Sequence, residues 1–190
     1  MIQLEKYNAE WAFEFERLKS IFIKKLEGYS IQVEHIGSTS VVGMQAKPIL
    51  DIDIIIPDTS NLKEIISLLE TLGYEYVGDL GIKDREAFKQ PFVYVPNDGS
   101  SIHWMKHNLY ICLAGSIALQ NHLYLRNYLR QHPLAADEYS RLKEKLATKY
   151  PNDIDSYVKY KTPFITSILA EMGIDEISLR AIKKANGYNE

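Results

Sequence analysis

Glu34-His35-Ile36-Gly37-Ser38-Thr39-Ser40, followed from Pro48 by Ile49-Leu50-Asp51-Ile52-Asp53-Ile54-Ile55-Ile56, is the stretch on which the reading of this chain turns. Ile31 to Ile36 is rich in β-branched residues and predicts a strand that ends at Gly37-Ser38. Ile49 to Ile56 predicts a second strand, stopped by Pro57, and its near-continuous isoleucine suits a central position covered on both faces. Residues two apart on a strand point to the same side, so Asp51 and Asp53 converge while Ile52 and Ile54 face the other way. Two carboxylates held together repel each other unless a cation neutralises them. Hard oxygen ligands of this kind suit Mg²⁺, which takes one or two protein carboxylates and completes its shell with phosphate and water oxygens. Gly37 lets the backbone approach a phosphate closely, and Ser38 adds a hydroxyl and an N–H at the start of a turn. An Asp-x-Asp or a Gly-Ser alone marks many ordinary strand ends; their order along the chain is the specific feature.

Working outward, Trp11, Phe15, Leu18, Phe22 and Leu26 step by four, three, four and four, one apolar helical face halted at Gly28. Asn61 with Glu64 has the spacing of a capping box for a helix through Leu72, with Gly73 closing it. Short strands are expected at Tyr74–Val77, Glu86–Phe88, Phe92–Val95 and His107–Leu113. From Ser116 onward the pattern is helical: Leu119 to Leu129, Tyr139 to Leu146, Tyr157 to Leu169 around Pro163, and Glu176 to Ala185. The expectation is one α+β domain over residues 1–190, with a sheet-containing core to about residue 115 and a helical portion from 116.

The 190 residues are 46% hydrophobic and 25% charged, which excludes disordered and fibrous classes. The single cysteine, Cys112, allows no internal disulfide and reads as buried and inert; together with the absence of a signal-like N-terminus it points to the cytoplasm. No apolar run is long enough to span a bilayer. A net charge of −3 disfavours bulk nucleic acid as a partner. No P-loop, dinucleotide fingerprint or Cys-x-x-Cys occurs.

Residues 34–56, with LLETLGYEYVGDLGIKDREAF, HNLYIC and LYLRNYLRQHPLAADEYSRLKEKLA, resemble the GrpB (UPF0157) family within the nucleotidyltransferase superfamily. KYNAEWAFEFERLK and Tyr157, Lys161 and Phe164 fit the same family, so the resemblance runs to about Leu169. It implies a mixed β-sheet flanked by helices, with Gly37 and Ser38 matching the phosphate-binding pair and Asp51 and Asp53 the metal-binding pair. Active nucleotidyltransferases add a third carboxylate on a later strand. The corresponding stretch here, His107 to Cys112, has no acid; it keeps the family's His107 but has Asn108 beside it.

The function expected is Mg²⁺-dependent transfer of a nucleoside monophosphate from an NTP to an unknown small acceptor, the metal being recruited with the nucleotide. Asp51 and Asp53 would hold the metal, and His107 would replace the missing acid as base or ligand. Gly37, Ser38, Lys47 and His35 would contact phosphate. Lys47 reads alternatively as a partner of Asp51, and His35 as a hydrogen-bonded structural histidine. Glu86 is a further stand-in for the third acid, or else a surface ion pair. Arg126, Arg130, Lys159 and Lys161 read as an anion-binding wall or as solvated faces with packed stems. Two other functions fit the same residues: a non-catalytic nucleotide or phosphometabolite binder, and an interaction module whose helical third exposes Tyr128, Tyr139 and Leu142.

Overall fold

The computed structural model describes residues 1–188. Five strands form one mixed sheet: β1 (Gln32–Ile36), β2 (Leu50–Ile56), β3 (Glu75–Gly78), β4 (Arg85–Lys89) and β5 (His107–Leu113), in the order β1-β2-β5-β4-β3. Only β2 and β5 run parallel; every other neighbouring pair is antiparallel. The isoleucine-rich β2 is therefore interior to the sheet, as its isoleucines require.

Strand alternation divides the sheet chemically. On one face Val33, Leu50, Ile52, Ile54, Leu109 and Ile111 join a core with Trp11, Phe15, Leu18 and Phe22 of α1 (Glu10–Lys25) and Ile65 and Leu69 of α2 (Leu62–Glu70). Ile52 and Leu18 are fully buried there, and truncating either to Ala would cost about 2–5 kcal/mol. The opposite face carries Glu34, Asp51, Asp53, Asn108 and Tyr110, with an apolar patch at Ile55 and Cys112. Helix α3 (Ile117–Gln131) lies over it, starting from Ser116, whose Oγ accepts the N–H of Leu119. Beyond α3, helices α4 (Pro133–Lys149) and α5 (Ile154–Glu171) close a second cluster that includes Val41, Met44, Leu129, Tyr139 and Ile168. Helix α6 (Glu176–Ala185) packs on α5 through Leu169, Leu179 and Ile182.

Three local expectations fail. Phe92–Val95 is a turn, closed by the Val95 N–H on the Phe92 carbonyl, with Phe92, Val93 and Tyr94 exposed. Its β-branched and aromatic composition does not make a strand; among the described residues its one backbone bond to a distant segment is the Trp104 N–H on the Val93 carbonyl at 2.6 Å, and no ladder forms. The Asn61–Glu64 capping box does not form: Asn61 sits at φ −107°, ψ 14° without a side-chain cap bond. Tyr128, Tyr139 and Leu142 are not an exposed patch: Tyr139 is buried in the second cluster, and Tyr128 and Leu142 pack half-buried against it. That removes the observation on which an interaction module would rest. Among the described residues no helix is long and apolar enough to cross a membrane.

Candidate functional site

The site begins where β1 ends. Gly37 adopts φ +69°, ψ −173°, a region essentially restricted to glycine. Register explains the need: Ile36 pairs with Asp51, so the next residue passes directly beside that carboxylate. A Cβ on Gly37 would overlap Oδ2 of Asp51. The chain then enters a 3₁₀ turn, Ser38–Ser40, held by the Ser40 hydroxyl donating to the Gly37 carbonyl at 2.6 Å. Arg126 and Arg130, one helical turn apart on α3, pin the segment from above. Arg126 Nη1 donates to Glu34 Oε2 at 2.5 Å and to the His35 carbonyl at 3.0 Å. Arg130 donates twice to the Ser40 carbonyl, at 3.1 and 2.9 Å. These guanidiniums order the turn through its backbone; they are not a free anion-binding wall.

Asp51 and Asp53 share the face that alternation predicts, but their environments differ. Asp51 is partly exposed, and its Oδ1 accepts Asn108 Nδ2 at 2.7 Å. Burial raises its pKa, opposed by that bond and by His122, Lys47 and Lys161. Asp53 is fully buried; its Oδ2 accepts His122 Nδ1 at 2.8 Å, while Oδ1 has no hydrogen-bond partner. Register sets Asn108 directly opposite Asp51 and Tyr110 opposite Asp53, so an amide stands against the first carboxylate where the sheet could have supplied a third acid.

Two neighbouring cavities, with Ser38, Asp51 and Lys161 in the walls of both, lie against this face. One, of about 210 Å³, is lined by Gly37, Ser38, Asp51, Tyr110, His122 and Lys161 among others. The second, of about 170 Å³, is shared by Ser38, Lys47, Asp51, Asn108, Lys143 and Lys161. Three lysines from three elements thus surround Ser38 and Asp51. Burial holds Lys161 down to about 8, assisted by the charge of Lys47 and opposed by Asp51. Lys143, whose Nζ donates to the Gln45 carbonyl and lies 5.0 Å from the Tyr139 ring, is lowered to about 7 by burial and then by Lys161. Lys47 is lowered by burial, with Asp51 acting the other way. Tyr157 receives Lys161 and Lys47 over its ring at 4.6 and 5.7 Å. Lys159 has no part in this; it lies over Tyr160.

His107 and His35 lie on the other side of the sheet. His107 pairs with Leu50 and is buried, with Tyr74 Oη 2.5 Å from Nε2 and the Met105 carbonyl 2.8 Å from Nδ1. Strand alternation puts it one residue out of phase with Asn108, so it cannot act on Asp51 as base or ligand. Burial lowers it to about 4, as expected of a neutral core histidine. His35 pairs with Ile52, stacks on Phe15 at 4.7 Å and contacts Thr39 Oγ1 at 3.0 Å. It supports the Ser38–Ser40 turn from behind and does not reach the phosphate face. Glu86, which pairs with Ile111, also faces the α1 side and accepts Tyr76 Oη at 2.5 Å, so it does not replace the third acid.

Mg²⁺ fits the residues present in part. Asp51 offers one oxygen free of the Asn108 bond beside the Gly37 turn, and Asp53 keeps an orphaned buried oxygen that a cation would satisfy. Two carboxylates are within what Mg²⁺ accepts when substrate phosphate supplies the rest. His122 and Lys143 do not figure in the sequence reading. His122, Arg126 and Arg130 recur every four residues, and so do Tyr139 and Lys143; that helical spacing is the signal each carried.

The GrpB protein family matches residues 1–171 of the chain. UPF0157 protein YqkA of Bacillus subtilis (strain 168) is 33% identical over 168 residues, covering 86% of this chain but 45% of YqkA. This chain therefore spans less than half the length of that relative. The crystal structure of conserved protein GrpB from Enterococcus faecalis superposes with a TM-score of 0.74 at 31% identity, covering 96% of this chain and 98% of that one. Cid1 poly(U) polymerase aligns at a TM-score of 0.53 and 13% identity, over 75% of this chain and 44% of Cid1, a likeness of fold alone. With the Gly-Ser turn set against an Asp-x-Asp strand in a nucleotidyltransferase-like mixed sheet, the chain belongs to the GrpB family.

Proposed function

We propose that the cleft between the sheet and α3–α5 binds a nucleoside triphosphate with Mg²⁺, and that the chain transfers the nucleoside monophosphate to a small acceptor, releasing pyrophosphate. The observation that carries this is the convergence of Lys47, Lys143 and Lys161 on Ser38 and Asp51. Crowded, partly dehydrated ammonium groups are costly to assemble, and a multiply charged anion relieves that cost. Lys161 lines both cavities, so it would meet a phosphate chain running from the Gly37–Ser38 turn towards Lys143. The Ser38 N–H, at the turn that Gly37 makes possible, would donate to a phosphate oxygen. Mg²⁺, held by Asp51 and Asp53 when bound, would neutralise phosphate oxygens as charge shifts onto pyrophosphate. The chain's own contribution is orientation and fixed positive charge, which suffice for in-line phosphoryl chemistry. A variant of Cid1 has been solved bound to MgATP, which agrees with nucleotide use on this fold.

A second reading, a nucleotide or phosphometabolite binder without turnover, is favoured by one observation: Asn108 occupies the position facing Asp51. Calorimetric titration with ATP, with and without Mg²⁺, followed by a pyrophosphate-release assay over a panel of acceptors, separates the two. Metal-dependent release that disappears in Asp51→Asn supports transfer. Binding without release supports the binder, and no binding of any triphosphate refutes transfer and the nucleotide form of the binder.

A further inference from the structure

Beneath the nucleotide cleft, Asp53, Cys112 and His122 bring together a carboxylate oxygen, a thiol sulfur and an imidazole nitrogen, all within 4.8 Å of one another. Asp53 and Cys112 project from β2 and β5 onto the same face, and His122 descends on them from α3. We infer that these three side chains form a binding site for a borderline-soft divalent ion of the zinc type, distinct from the Mg²⁺ that would accompany a nucleotide. The inference goes beyond the nucleotidyl-transfer reading and does not need a nucleotide to be bound.

Three features support it. First, the donor set is mixed: hard Mg²⁺ has no use for a thiolate, whereas Zn²⁺ and Co²⁺ bind sulfur, imidazole and carboxylate together. Second, Asp53 Oδ1 is buried without a hydrogen-bond partner, although its residue has no exposed surface. An ordinary Asp–His pair satisfies both carboxylate oxygens; this one leaves a buried acceptor unpaired, a deficit that positive charge bound at Asp53 would relieve. Third, an entry path exists. Cys112 and Asp53 are sealed, but His122 is part-exposed and lines the cavity of about 210 Å³. Three protein ligands leave a fourth position for water or a further ligand, the donor number of a zinc site that is not closed by the protein.

Binding requires the three side chains to adjust, since their ligand atoms lie anywhere up to 4.8 Å apart. Ligand atoms of one tetrahedral ion with bonds of ~2.0–2.3 Å stand roughly 3.3–3.6 Å apart. His122 Nδ1 and Asp53 Oδ2, now 2.8 Å apart, would spread slightly as the ion replaces the proton between them. The imidazole would then carry its proton on Nε2, and the thiol proton would leave to solvent, so binding releases acid. Asp53 is common to both sites, but Cys112 and His122 belong to this one alone.

The test is titration of the chelator-treated, nucleotide-free full chain with Co²⁺, followed by absorption and back-titration with Zn²⁺. One Co²⁺ per chain is expected, with a thiolate-to-cobalt charge-transfer band that Zn²⁺ abolishes. Cys112→Ala should remove the band, and His122→Gln should weaken Co²⁺ binding by at least about tenfold. Asp51→Asn should leave the band intact while removing any metal-dependent transfer, which separates failure of this site from failure of the nucleotide reading. Should Cys112→Ala not fold, the His122→Gln affinity decides. Absence of a charge-transfer band at saturating Co²⁺, or equal affinities in the wild type and His122→Gln, would overturn the proposal.

Discussion

Replacing Asn108 by Asp tests the electrostatics of the cleft most directly, because it puts back an acid opposite Asp51. In the native chain Asn108 Nδ2 donates to Asp51 Oδ1 at 2.7 Å. The substitution turns that donor into an acceptor. Losing a hydrogen bond to a charged group costs about 1.5–3 kcal/mol. Two carboxylates about 4 Å apart add up to about 4 kcal/mol of repulsion at an effective dielectric of 20, which the pair limits by retaining a proton. We expect Asn108→Asp to be destabilised by about 2–4 kcal/mol at neutral pH without metal. The pH dependence has a definite sign. The pair's folded pKa rises above the unfolded value near 3.9, so between these two values the native state binds more protons than the unfolded state. The variant's deficit is therefore small near pH ~4 and grows as pH rises to the folded pKa. Divalent cation should reverse it, since the site now has three acids: Mg²⁺ at ~100 times its dissociation constant returns about 2.7 kcal/mol. Urea unfolding followed by circular dichroism, from acid to neutral pH with and without Mg²⁺, reads all three effects. A variant within about 0.5 kcal/mol of the wild type at pH 7, or equal stabilisation of both proteins by Mg²⁺, would refute the reasoning.

Gly37→Ala should lose about 1–3 kcal/mol from backbone strain alone, and more from the overlap with Asp51, measured as a lowered thermal midpoint together with weakened nucleotide binding. Lys161→Met should raise stability at neutral pH by up to about 3 kcal/mol while weakening ATP binding. In the wild type, with Lys161 depressed to about 8, stability rises between that value and its unfolded value of 10.5, and the variant should show a shallower rise across that window in pH-dependent melts, the remainder coming from Lys143 and Lys47. Tyr74→Phe leaves buried His107 Nε2 unpartnered and should cost about 1–3 kcal/mol, yet calorimetry should find ATP affinity unchanged, because that pair lies on the far face of the sheet. A large loss of affinity in Tyr74→Phe would return His107 to the site.

Much of this architecture is legible in one dimension because it follows from local periodicity. The period-four apolar face of α1, the isoleucine run of β2 and the breakers at Gly28 and Pro57 each depend on residues a few positions apart, and all appear where the pattern puts them. The convergence of Asp51 and Asp53, and the glycine beside them, follow from alternation within a strand and the order of two motifs. Alternation could also have excluded His107, which is one residue out of phase with Asn108, but only once β5 is known to lie beside β2 in the register that pairs Asp51 with Asn108. That register is a long-range fact, and no local pattern encodes it. The same holds for Phe92–Val95, whose strand-like composition ends in a turn. Lys47, Lys143 and Lys161, far apart in the chain, share a cavity only because α4 and α5 fold back over the Ser38 turn. Asp53, Cys112 and His122 meet because a parallel strand pair and a crossing helix bring them there. Residue types and spacing thus determined the elements and the first pair of acids. Which side chains share a charge environment was decided by tertiary packing, because Coulomb and hydrogen-bond partners are chosen by distance in space and not along the chain.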